Sequence, residues 1–284
     1  MNAPRTLTEL WTGVQHGLSI DAYHGMEGAS KTVLDSVAKS PAIAYARHLD
    51  PNRPAAEQKS GQLEGELAHC AILEPDEFSK RYAVGPDVIR STKVWKEFEA
   101  ANAGKKCIKP GEYEAAMRQG ESVRRLPEIR DALAAGHPEV SAFWIDPETG
   151  VKCRCRPDWV HPCGDAGSIL LDVKTYSDAS PAEFRRQVAR KRYHVQDAFY
   201  SDGFQRASGL EVLAFVFVAV ETEWPYAANA LMLDDLAKTT GRDLYRRDLD
   251  TYAECLRTGE WPGYSNQIEI ISLPNWAISN LTEE

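Results

Sequence analysis

The feature that most restricts the fold is a change of period near residue 139. Upstream, apolar residues recur at helical spacing. Leu63, Leu67, Cys70 and Ala71 form a stripe over 61–73 that Glu74-Pro75 ends. A helix is expected to start at Ser30, whose hydroxyl can cap the first turn, with Pro41 marking its end or a break. PNRPAAEQKSG (51–61) reads as a loop, and 91–103 and 110–134 read as helices. Then the pattern shortens to two. Glu139 to Ile145 and Val151 to Val160 alternate or run apolar around a DPETG turn (146–150), as a hairpin does. Ser168 to Thr175 is a short apolar strand. One long helix is expected over about 181–207, with Pro181 in its first turn. Strands at 212–221 and 228–233 and a helix at 234–258 follow. Helices, then strands, then strand–helix–strand predict an α/β fold. Its central mixed sheet is flanked by helices, with a helical N-terminal portion packed on it.

Composition narrows the function classes. With 43% hydrophobic and 26% charged residues the chain is an ordinary globular sequence. No run approaches the roughly 18 apolar residues of a membrane span, and Val212 to Val220 reads as a buried strand. MNAPRTLTEL lacks the apolar core of a secretory leader, so a cytoplasmic location is expected. A net charge of −9 argues against a protein that coats nucleic acid nonspecifically. A local basic strip remains compatible with phosphate contacts, and RRQVARKR (185–192) holds five basic side chains and no acid. Cys153 and Cys155, two apart on a strand, share a face and read as buried thiols rather than zinc ligands.

The chemistry concentrates in RPDWVHPCGDAGSILLDVKTY (156–176). Asp172 and Lys174 are two apart on one strand and face the same way, with Leu171 and Val173 turned into packing on the other side. A neighbouring strand that ends near Asp158 would set two carboxylates together with an ammonium at their edge. Adjacent carboxylates repel unless a cation lies between them, and a hard divalent ion with oxygen ligands meets that need. Such an ion can stabilise charge on a phosphoryl oxygen, and Lys174 can offset charge in the transition state. The pattern is too short to fix a function alone. His69, in Gly65-x-x-x-His69, adds an imidazole. Gln196 and Tyr200, four apart, share a helix face that Arg192 and Arg185 extend. Glu139 could add another carboxylate.

RPD (156–158), LDVKT (171–175) and QDAFY (196–200) resemble the motifs of the PD-(D/E)xK nuclease superfamily, in its RecB-like branch with a QxxxY helix. Gly65-x-x-x-His69 is similar to the upstream histidine motif of that branch. From about residue 20 to 277 the chain resembles the RecE (exonuclease VIII) nuclease family. The stretches that carry this are SKTVLDSVAKSPA (30–42), LAHCAILEPDEFSKRY (67–82), WIDPETGVKCRCRPD (144–158), RYHVQDAFYSDGF (192–204) and ISLPNWA (271–277).

That resemblance implies a restriction-endonuclease-like core and a metal-dependent 5′→3′ exonuclease that leaves a 3′ overhang on linear duplex DNA. It also implies a ring-shaped homotetramer and a RecT-type single-strand annealing partner. By position, His69, Asp158, Asp172 and the Val173 carbonyl would hold Mg²⁺, with Mn²⁺ able to substitute because imidazole suits it better. Lys174 would be the catalytic lysine, Gln196 and Tyr200 the QxxxY pair, and Glu139 a support residue. Arg185, Arg186, Arg190 and Arg192 are expected to contact the DNA backbone, and Ser30 and Lys31 a 5′ phosphate at a helix start. One domain over 1–284 is expected, with a catalytic core over about 60–235 and residues 1–25 only partly ordered. Only Cys255 lies in the last third, which speaks against an iron–sulfur cluster. The chain is expected to be a stand-alone module of phage or prophage type. An endonuclease of the same superfamily and a catalytically silent DNA-binding relative remain open.

Overall fold

A computed structural model describes residues 12–54 and 61–274. Parts of three expectations fall outside these residues: the N-terminal stretch 1–11, loop residues 55–60, and the end of ISLPNWA. The elements run β1 (Gly13–Gln15), α1 (Ile20–Gly25), α2 (Lys31–Lys39), α3 (Pro41–Ala44) with a π turn at Tyr45–Leu49, α4 (Gln62–Leu73), α5 (Pro75–Arg81), β2 (Tyr82–Val84), α6 (Lys93–Ala101), β3 (Lys106–Ile108), α7 (Pro110–Arg124) and α8 (Pro127–Ala134). Then come β4 (His137–Pro138), β5 (Ser141–Ile145), β6 (Lys152–Cys155), β7 (Trp159–Pro162), β8 (Ser168–Tyr176), α9 (Pro181–Lys191), α10 (Tyr193–Ser208), β9 (Val212–Glu221), β10 (Ala228–Leu231) and α11 (Asp235–Thr258).

The central sheet has the order β10-β9-β8-β7-β4. Its middle pair, β8 and β9, is parallel, and the other pairs are antiparallel. The parallel pair is joined by α9 and α10, because parallel neighbours need a long crossover. A smaller sheet, β1-β5-β6, lies beside it. The expected α/β fold with a mixed sheet flanked by helices is what the chain forms.

Each face of the central sheet carries its own core. On one, Leu170, Phe215 and Phe217 pack with Phe199 and Phe204 of α10, Leu249 of α11, and Trp144, Cys153 and Cys155 of the small sheet. On the other, Leu171, Val173, Val218 and Val220 pack with Ala68 and Ile72 of α4 and Val123 of α7. The alternation along β8 therefore sends Leu170 and Leu171 into different cores. Cys153 and Cys155 are fully buried thiols.

Several expected boundaries move, each for a local reason. The helix expected over 110–134 breaks before Pro127, which disfavours helical backbone at Leu126. The strand expected over 151–160 breaks at Arg156-Pro157, since Pro157 has no N–H for a ladder. Glu139 takes φ 52°, so the preceding bridge stays with the central sheet and β5 starts at Ser141. The helix expected over 181–207 is two helices. Arg192, at φ 55°, ends α9 and starts α10, and its guanidinium is held by Asp35 and Asp248 from distant parts of the chain. The short parallel pair β2–β3 has too few residues to show a period.

Candidate active site

The site forms where the chain passes from one sheet to the other. It crosses twice, between β4 and β5 and between β6 and β7. The first crossing carries Glu139 and the second carries Arg156 and Asp158. The Glu139 N–H donates to the Asp158 carbonyl at 2.8 Å, which ties the crossings together. Pro157 cannot donate to β8, and the Val173 carbonyl faces His69 instead, while the Asp158 carboxylate accepts the Val173 N–H at 2.7 Å.

The α4 helix crosses the same point from the other side. Its His69 ring faces the Val173 carbonyl at 3.1 Å and the Asp158 carboxylate at 3.6 Å. Gly65, one turn earlier, lets α4 lie close to Thr175 of β8. Ligand atoms of His69, Glu139 and Asp158 all lie within 4.8 Å of one another. The compact trio thus contains Glu139, which the sequence suggested only as a support residue.

Asp172 lies just behind that trio, on the β8 face toward α10. Its side chain is 3% exposed. One carboxylate oxygen accepts from Gln196 Nε2 at 2.6 Å. The other is paired with the Lys174 ammonium, which also sits over the Tyr193 ring at 5.0 Å. Leu171 and Val173 point away, into the opposite core. Tyr200 packs against Phe215, with its phenol pushed up by burial and by the nearby Tyr23 phenol. Arg156 grips Glu139 at 2.6 Å and also donates to the Leu18 carbonyl. Arg156 is two residues before Asp158 on an alternating segment, so strand period places the two on one face. Tyr193 carried no comparable signal.

Asp158 is pushed well above the usual carboxylate range, first by burial and next by the charge of Asp172. His69 is held below its ordinary value, first by burial and next by Lys174. Burial works against a charged Lys174, but Asp172 and Asp158 outweigh it and keep the ammonium protonated. A divalent cation among these donors relieves the carboxylate repulsion. One imidazole, two or three carboxylates and a backbone carbonyl are a donor set that fits such an ion. A cavity of about 850 Å³ opens beside the trio, lined in part by His16, Gln62, His137 and Arg156.

The basic strip is less uniform than the sequence suggests. Arg185 and Arg190 are exposed on α9, whereas Arg186 pairs with Glu183 and Arg192 with Asp35 and Asp248. Ser30 caps α2, and Lys31 is engaged by Asp35 and the Lys191 carbonyl. Both are therefore occupied within the fold.

A mixed sheet that brings Asp158, Asp172 and Lys174 together at its central strand, beneath a Gln196 helix, is the PD-(D/E)xK nuclease type of fold. Residues 30–274 match the family described as a PDDEXK-like domain of unknown function (DUF3799), and the chain belongs to it. A crystal structure of a candidate exonuclease from Eubacterium rectale superposes with TM-score 0.59 at 11% identity, over 95% of this chain and 99% of that one. That likeness speaks for the fold. The crystal structure of SSO0001 is 16% identical over 66% of this chain and 74% of that one, and its TM-score of 0.29 carries no argument. No curated protein matches the chain. Among the described residues no helix is long and apolar enough to cross a membrane.

Proposed function

We propose that this chain is a Mg²⁺-dependent 5′→3′ exodeoxyribonuclease that resects one strand of linear duplex DNA. The observation that carries the reading is the His69–Glu139–Asp158 trio set against the Asp172–Lys174 pair. Membership of a PDDEXK-like family supports nuclease chemistry, and a fold shared with a protein described as an exonuclease favours cutting from an end. His69, Asp158 and Glu139, with Asp172 and the Val173 carbonyl adjoining, would hold the cation. Bound there, a divalent ion supplies charge stabilisation at the scissile phosphate.

The chain's own residues do the rest. Gln196 fixes one oxygen of Asp172, so the carboxylate keeps its orientation. Lys174, held protonated between Asp172 and the Tyr193 ring, presents a positive charge and a proton donor to the phosphate. Tyr200, one turn after Gln196, packs on Phe199 and Phe215 and anchors that helix face in the core. The resemblance noted above further supports a homotetramer that works on DNA ends with a RecT-type annealing partner, in the cytoplasm.

The test is digestion of duplex DNA labelled at the 5′ or the 3′ end, beside covalently closed circles, with Mg²⁺, Mn²⁺ or EDTA. Release from the 5′ end of linear DNA, lost in EDTA, is expected. Cutting of closed circles would replace this reading with an endonuclease. Asp172→Ala and Lys174→Ala are each expected to lower cleavage by at least a hundredfold, on the scale of removing one transition-state donor. Full activity in either would remove it from the site.

A further inference from the structure

A second cavity, also of about 850 Å³, borders the C-terminal end of α1, whose N-terminal end borders the cavity beside the trio. It is walled by the π turn, the β5–β6 turn and the last turn of α11. Arg47, Arg53, Lys152, Arg154 and Arg257 line it; Glu27, the carboxylate among the lining residues, pairs with Lys152, and Arg257 shares an exposed pair with Glu254. In a chain of net charge −9, that is a strong local inversion of sign.

The cavity is built, not incidental. The Ala29 N–H donates to the Lys152 carbonyl at 2.8 Å and the Arg154 N–H to the Ala29 carbonyl at 2.9 Å, which zips one wall to β6. Arg154 lies over the Tyr23 ring at 4.7 Å and donates to the Tyr23 carbonyl. His48 is fixed by Ser36 at 3.0 Å. Arg47 is exposed and pairs with no acid among the described residues. His48 and His24 are both held below their ordinary values, first by burial and next by guanidinium groups. For His48 these belong to Arg47, Arg53 and Arg154, for His24 to Arg154 and Arg156. Both imidazoles thus report a positive field.

The cavity is also connected to the catalytic site. Burial alternates from Val151 to Trp159, so Lys152, Arg154 and Arg156 share the outward face. Successive members are about 6.6 Å apart at strand spacing, the scale of one nucleotide of an extended strand. Arg156 lies over the same Tyr23 ring at 5.5 Å and grips Glu139 of the trio. The row thus leads from the basic cavity to the metal ligands.

We propose that this cavity binds the phosphodiester backbone of a DNA strand a few nucleotides from the scissile bond, with Arg47, Arg53 and Arg257 at the phosphates and Arg154 and Arg156, held within the fold, forming the wall that links it to the catalytic site. The inference rests on the nuclease reading above. Its test is DNA binding in EDTA, where no cleavage occurs. Anisotropy of a labelled single strand and of a blunt duplex is measured at several salt concentrations, for wild type and for Arg47→Ala/Arg257→Ala. Losing two phosphate contacts is expected to flatten the slope of log K against log salt by about 1.4 on the single strand or 1.8 on the duplex, with at least tenfold weaker binding at low salt. The His48 ring resonances of the wild type should move when DNA is added. Thermal melts establish that the double variant is folded, and Arg47→Lys/Arg257→Lys is expected to keep most of the binding that the double alanine variant loses.

Unchanged affinity and slope in the double variant on both substrates would overturn the proposal, as would an unmoved His48. If wild type still cleaves in Mg²⁺ in that case, the cavity alone is refuted. A wild type that neither cleaves nor binds DNA would refute the nuclease reading and the cavity together.

Discussion

Glu139 is held at φ 52°, a left-handed backbone state that costs a residue with a side chain about 1–2 kcal/mol. Such strain persists where surrounding contacts impose it, and here Arg156 and the Asp158 carbonyl do so. Glu139→Gln keeps the shape and the contact to Arg156 but loses the charge. It is expected to weaken Mn²⁺ binding at least tenfold by calorimetry, and an unchanged affinity would leave Asp172 to complete the ligand set. Asp197 makes a different point. It is 2% exposed on α10, one of its carboxylate oxygens has no partner, and burial pushes it up to about 6. As pH rises from about 4, the unfolded carboxyl gives up its proton first while the folded one keeps it. Stability therefore falls until about pH 6 and stays lower above. Asp197→Asn removes that cost. Melts should show it more stable than wild type by roughly 1–3 kcal/mol at pH 8, with the gap closing toward pH 4.5. Asp158, Asp172 and Lys174 could be placed from the sequence because strand period sets which side chains share a face. Arg192 could not. Its partners Asp35 and Asp248 are 157 and 56 residues away, so it reads as a phosphate contact and sits in the structure as an internal ion pair.

The α10 helix shows how tightly the elements fit. A Cβ on Gly203 would enter the Trp144 ring of β5, and one on Gly241 of α11 would strike the His194 carbonyl. Helix α10 is thus in near-backbone contact with a strand on one side and a helix on the other. Gly241→Ala gains about 1 kcal/mol of helix propensity, but the clash is with backbone that cannot rotate away. A net loss of about 2 kcal/mol is expected, read as a lower urea midpoint at unchanged slope. An increase in stability would mean that α10 and α11 can separate freely. Long periodic elements such as α4, β9 and α11 were readable because many residues repeat one signal. The two-residue β4 and the three-residue β2 and β3 carry no period, and their pairing is set by what lies opposite.

For the molecule as a whole, the trio joins parts of the chain that lie far apart in sequence. His69 comes from the helical portion, while Glu139 and Asp158 come from the two crossings between sheets. A bound cation should therefore stabilise the entire fold. At a hundred times its Kd the gain is about 2.7 kcal/mol, roughly 5–10 °C in Tm for a chain of this size. Melts in Mn²⁺ against EDTA should show that rise, and His69→Ala should lose most of it. No shift with wild type would mean that the donors do not act together. The overall architecture followed from the order of periods along the sequence. The closure of the trio did not, because it depends on how two sheets meet, which no local pattern encodes.

The left-handed residue between α9 and α10 separates the rotational phase of one helix from that of the other. A residue gained or lost within α9 moves its exposed arginines and leaves Gln196 aimed at Asp172. The same change between Arg192 and Gln196 turns the amide by about 100° and withdraws it from the carboxylate. The site is accordingly indifferent to chain length before that kink and sensitive to every residue after it.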